Sequence, residues 1–172
     1  MRPATLAVVL AVLCSAAPRA QSSGGFVARH EGVAAASPDA VYRVLVDRIG
    51  EWWDPAHTYS GDAANLSIDA RPGGCFCERL PGGGGVEHMR VVYAAPGALL
   101  RLNGALGPLQ AAAVTGTMTI TLTAEGAGTR VRMSYAVSGV IDGGLGTLEG
   151  PVSKVTGEQL ARLVALAGRA GR

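Results

Sequence analysis

The hydrophobic pattern of this chain changes period twice, and that double change leaves few folds open to it. A helical period of about four over residues 37–54 gives way to strand-like alternation over residues 66–138, and helical spacing returns at Pro151. One helix, a run of strands and a closing helix make an α+β chain. Its expected form is a curved antiparallel sheet folded around the long C-terminal helix, an arrangement that leaves a cavity for a small apolar molecule.

The first helix is marked by its start. Ser37 offers a capping hydroxyl, Pro38 occupies the first turn where no amide hydrogen is missed, and Asp39 sits at the positive end of the dipole. Val41, Leu45, Ile49 and Trp52 recur on one face, and Asp54-Pro55 stops the helix. Trp52 and Trp53 are neighbours and cannot share a helix face, so one is expected in the core and the other at a pocket.

The strand candidates are Phe26 to Ala35, Leu66 to Ile68, Cys75 to Leu80, Val86 to Tyr93, Leu99 to Asn103, Gly116 to Thr123 and Thr129 to Ser138. In the sixth, Met118, Ile120 and Leu122 oppose Thr117, Thr119, Thr121 and Thr123, which is the pattern of a sheet covered on one side only. Gly82 to Gly85 has no Lys-Ser or Lys-Thr pair after it and is read as a hairpin turn rather than a phosphate loop. The last helix is expected from Pro151 to Gly168, with Gly157 as a weak point and residues 169–172 as a frayed tail.

Residues 1–20 have the layout of a secretory signal peptide: Arg2, an apolar run from Ala4 to Leu13, then small residues from Ser15 to Ala20. The run is too short to span a bilayer, for which about 18 apolar residues are needed. Leu13 before Cys14 does not fit a lipoprotein signal. Cleavage after Ala20 leaves one domain, residues 21–168, in the periplasm or outside the cell, with no stable membrane insertion. Arg2 and Arg19 carry the only charges in the leader, so thirteen basic residues then face thirteen acidic ones. A neutral domain has no electrostatic footprint for nucleic acid.

Ser37-Pro38-Asp39-Ala40-Val41-Tyr42 at the helix start, Trp52-Trp53 at its end, Arg71-Pro72-Gly73-Gly74-Cys75-Phe76, Ala95-Pro96-Gly97, and Gly126-Ala127-Gly128-Thr129-Arg130-Val131 together resemble the START-like superfamily. The resemblance covers nearly all of residues 26–168. It is similar to the bacterial branches that include polyketide cyclase and dehydratase-like proteins and relatives of the heat-shock chaperone ATPase activator. What it implies is a helix-grip fold with a central cavity. It implies three functions: a binder of a small lipophilic or aromatic molecule, a cyclase or dehydratase-like enzyme, or a protein-interaction module. Export argues against the last, because the chaperone concerned is cytosolic.

Within such a cavity the expected ligand-binding residues are Trp53, His57, Tyr59, Phe76, Glu78, Met89, Met118, Ile120 and Tyr135. If the protein is an enzyme, His57 and Glu78 are its expected acid and base, Glu78 gaining a raised pKa against apolar walls. The alternative for Glu78 is a surface pair with Arg79 or Arg90. His88 and Arg90 share a strand face with Val86 and Val92 and are expected at a solvated edge or, if that face turns inward, at a carboxylate or enolate oxygen. Cys75 and Cys77 point to one face of a strand, with alpha carbons about 6.6 Å apart if fully extended. They are expected as buried free thiols, with a bridge between them or a zinc site shared with His57 and His88 as alternatives. No metal or other cofactor is expected.

Overall fold

The computed structural model describes residues 24–171, so the leader and its cleavage site lie outside the described residues. The elements follow in the order β1 (Gly24–Ala34), α1 (Pro38–Asp47), α2 (Ile49–Trp52), β2 (Leu66–Ile68), β3 (Cys75–Arg79), β4 (Gly85–Ala95), β5 (Leu99–Gly104), β6 (Ala113–Glu125), β7 (Gly128–Val140) and α3 (Gly146–Ala170). The seven strands form one antiparallel sheet in the order β1-β7-β6-β5-β4-β3-β2. With α3 packed across it, this is the helix-grip arrangement.

Alternation decides which face of the sheet is covered. Met118, Ile120 and Leu122 of β6 and Val131, Met133, Tyr135 and Val137 of β7 are buried, while the threonines of β6 and the arginines of β7 face outward. On that outer face Arg130 bonds Glu31 and Glu125, and Arg132 bonds Glu31. Small residues let β1 approach α3. A Cβ on Gly157 would stand 3.1 Å from the His30 ring, and one on Gly32 would stand 3.2 Å from Val164. Gly157, expected as a weak point, instead lets α3 pass close to β1 at His30.

The expected first helix is broken. Arg48 leaves helical geometry at φ −123°, and α2 then carries Gly50 against the Ala63 carbonyl oxygen, where a Cβ would lie 2.9 Å away. α3 begins at Gly146, five residues before the expected start, with Pro151 inside the helix. Proline favours a first turn but marks only where a helix tolerates a missing amide hydrogen, so the turn before it was not legible.

Cys75 and Cys77 are joined by a disulfide with alpha carbons 5.4 Å apart. Free thiols were the expectation, based on fully extended spacing. Beside the bridge β3 departs from even pairing, because Phe76 pairs with Met89 while Cys77 pairs with Glu87. His88 is the unmatched residue, and β4 therefore buries the adjacent pair His88 and Met89.

Candidate ligand cavity and the buried Glu78–His88 pair

Three segments enclose a cavity of about 440 Å³. The loop after α2 supplies Trp53, Ala56, His57, Thr58 and Tyr59; the connection from β5 to β6 supplies Leu106, Gly107 and Pro108; the first turns of α3 supply Leu148, Pro151, Val152, Val155 and Thr156. His88 closes the wall from the sheet.

Each segment is tied down. Gln159 Oε1 accepts from the Asp54 amide at 2.8 Å, and Arg162 Nε donates to the Trp52 carbonyl at 2.8 Å, so α3 fixes the end of α2. Trp52 points into the core, where its indole N–H donates to the Leu45 carbonyl. Trp53 has extended backbone and turns to the cavity, its indole N–H donating to the His57 carbonyl at 3.0 Å. The Tyr59 hydroxyl donates to the Gly107 carbonyl at 2.9 Å and joins two of the three segments. Tyr59 is 53% exposed, so this contact lies at the mouth.

Behind the wall lies a buried ionisable pair. His88 Nε2 is 2.9 Å from Glu78 Oε2, with the two residues 5% and 2% exposed. The Tyr59 amide donates to Oε2 at 3.1 Å and the Ser60 amide to Oε1 at 2.5 Å. Burial pushes the Glu78 carboxyl up, but the hydrogen bonds from Ser60, Tyr59 and His88 outweigh it, and its pKa lies below the ordinary value. For His88 burial is again the largest influence; it favours the neutral ring and prevails over the attraction of Glu78, so the pKa is lowered. At neutral pH the pair is a carboxylate beside a neutral imidazole.

Two expectations for Glu78 are thereby corrected. It is not raised in pKa, because three donors converge on it, and it is not a surface partner of Arg79 or Arg90. Arg90 is exposed and bonds Glu87 and the Gly73 carbonyl. His88 and Arg90 do not share a face, since the irregular pairing turns His88 inward alone. His57 stands exposed in the 3-10 turn Pro55–His57, and it is not among the partners of Glu78.

Of the other expected ligand residues, Trp53, His57 and Tyr59 line the cavity. Phe76 lies one layer deeper, its ring centroid 5.2 Å from Trp53 and 4.8 Å from His88. Met89, Met118 and Ile120 belong to the core. Tyr135 is fully buried. Its hydroxyl donates to the Gly104 carbonyl and accepts from the Leu106 amide, both at 3.2 Å, and burial pushes its pKa up to about 12. The α3 residues Leu148, Val152 and Val155 were missed as lining because a helix pattern does not reveal which part of an apolar stripe lacks a covering strand.

The zinc alternative fails on geometry. The cysteines are bonded to each other, His88 bonds Glu78, and no cluster of three or more metal-ligating side chains occurs among the described residues. Nor is any described helix long and apolar enough to cross a membrane.

No protein-family model and no curated protein matches the sequence. Solved structures do match. A protein from Rhizobium leguminosarum superposes with a TM-score of 0.66 at 18% identity, over 86% of this chain and 97% of its own. Ara h 8.0201 gives 0.58 at 13% identity, over 84% and 98%. DynU16, from the dynemicin biosynthetic locus, gives 0.55 at 16% identity, over 81% of this chain and 46% of its own. At these identities the likeness is one of fold, and the fold is the helix-grip one.

Proposed function

We propose that this protein binds a small lipophilic or aromatic molecule in the cavity between α3, the loop after α2 and the sheet. The observation that carries the reading is the cavity itself: about 440 Å³, walled mainly by apolar side chains and held open by hydrogen bonds among its own segments. Such a volume is typical of small-molecule sites. Removing apolar ligand surface from water contributes about 25 cal/mol per Å² before the entropy losses of association. Trp53, His57 and Tyr59 are the expected ligand contacts on the loop side, and Leu148, Val152 and Val155 on the helix side.

The leader reading places this activity in the periplasm or outside the cell. The Cys75–Cys77 disulfide supports export, because such bonds persist in oxidising compartments. N-terminal sequencing of the protein from its own host checks the cleavage expected after Ala20.

A cyclase or dehydratase reading built on His57 and Glu78 has less support. Glu78 already accepts three hydrogen bonds, and its lowered pKa suits neither a proton donor nor a strong base.

Native mass spectrometry of the protein purified from its host tests the binding reading. A stoichiometric apolar molecule supports it. A protein that emerges empty and takes up none of a panel of aromatic probes sinks it. As a control, Val155→Trp should fill the cavity and lower probe affinity at least tenfold, a loss of about 1.4 kcal/mol.

A further inference from the structure

We propose that the ligand is an aromatic molecule bearing a neutral hydroxyl group, and that His88 accepts that hydroxyl's hydrogen at Nδ1. The proposal rests on the cavity reading above and specifies its chemistry.

The argument begins with what Glu78 does to the ring. An ionised carboxylate only accepts hydrogen bonds. The hydrogen shared across the 2.9 Å contact therefore belongs to His88 Nε2. On a neutral ring that leaves Nδ1 as an acceptor, and the hydrogen bond His88 makes to the described residues through its side chain is the Nε2 one to Glu78. The ring is also held in place. Tyr59 stacks on it at 5.9 Å between centroids with planes 24° apart, and Phe76 lies against it at 4.8 Å. The amides of Tyr59 and Ser60 fix Glu78 in turn. Tautomer and orientation are both set before any ligand arrives.

The other polar groups of the wall have already given away their hydrogens. Thr58 donates to the Pro55 carbonyl, Thr156 to the Val152 carbonyl, and Tyr59 to the Gly107 carbonyl. His57 is at the exposed rim. Apart from His57 at the rim, the polar side chains of the wall thus offer acceptors and have no free donor, and the complementary ligand supplies one. The buried negative charge of Glu78 disfavours a carboxylate in its place. An acceptor in an apolar wall discriminates strongly, because a ligand lacking the hydrogen leaves it unpaired. The neighbouring rings of Trp53 and Tyr59 favour a flat aromatic body.

Calorimetric titration with naphthol, naphthalene and naphthoate tests this. The hydroxyl compound should bind at least tenfold more tightly than the hydrocarbon, about 1.4 kcal/mol, and the carboxylate no better than the hydrocarbon. In His88→Phe, which keeps a flat ring and removes the acceptor, the ratio of naphthol to naphthalene affinity should fall to within about twofold. Nitrogen NMR of the wild-type imidazole gives a readout independent of that variant's folding: naphthol should shift the unprotonated Nδ1 resonance and naphthalene should leave it in place. Equal affinities for naphthol and naphthalene, or a preference for naphthoate, overturn the hydroxyl inference and leave the cavity reading standing. Failure of all three probes to bind overturns the hydroxyl inference, and together with a protein that emerges empty from its host it overturns the cavity reading as well.

Discussion

The ring of Tyr135 occupies the space that a side chain on Gly116 would need: a Cβ there would stand 2.5 Å from the Tyr135 Cε2 atom and 3.0 Å from the Gly104 carbonyl oxygen. Gly116 belongs to β6, and Tyr135 is the β7 partner of Met118, so the large ring leans across its own sheet over the one glycine of β6. The lean carries the Tyr135 hydroxyl to Gly104 and Leu106, where the chain leaves β5 for the cavity wall.

Gly116→Ala should therefore destabilise the protein by about 1–3 kcal/mol, the usual cost of overpacking a filled core. For a domain of this size that corresponds to a fall in Tm of roughly 2–4 °C per kcal/mol. Tyr135→Phe, which keeps the ring and removes the hydroxyl, should cost about 1–3 kcal/mol by leaving the Leu106 amide unpaired. Denaturant titration of both variants checks the two values.

Glu78→Gln tests the pair behind the cavity. Whichever way the new amide is turned, its NH2 group faces the Ser60 amide or the Tyr59 amide, one donor against another. We expect a loss of about 1–3 kcal/mol together with faster hydrogen exchange at the Ser60 amide. Unchanged exchange there would show that Glu78 does not hold the loop.

Acid should weaken the protein in two stages. The native pKa of His88 lies below its ordinary 6.5 and that of Glu78 below its ordinary 4.5, so in both cases the unfolded chain binds the extra proton. The His88 contribution is complete above pH 6.5 and erodes below it. The Glu78 contribution is complete above pH 4.5 and is lost as pH falls through the lower native value. Denaturant midpoints measured from about pH 8 to about pH 3 should show both stages, and His88→Gln should remove the upper one.

The disulfide should contribute little stability for a cross-link. Its cysteines are two positions apart, and closing so short a loop removes only about 1–2 kcal/mol of unfolded-chain entropy. Cys75→Ser/Cys77→Ser should thus unfold at only slightly lower denaturant. The intact mass of the untreated protein should match a cysteine pair that has lost two hydrogens.

Much of the fold was legible locally. The Ser37-Pro38-Asp39 start, the clean alternation of β6 and β7, and the turns at Gly82–Gly85 and Gly126 act over a few residues, and alternation alone named the buried side of the two longest strands. The division of labour between Trp52 and Trp53 followed from their adjacency.

Tertiary structure decided the chemistry of the site. Strict alternation puts His88 on the face of Arg90, away from Met89; one unmatched residue in the β3–β4 pairing turns it inward beside Glu78. Whether Glu78 is raised or lowered in pKa depends on amides at Tyr59 and Ser60, which reach it only because the loop after α2 folds back onto β3. A hydrophobic period records which side of an element is dry. It does not record where an irregular pairing falls, or which donors converge on a buried carboxylate, because these depend on residues distant in the chain.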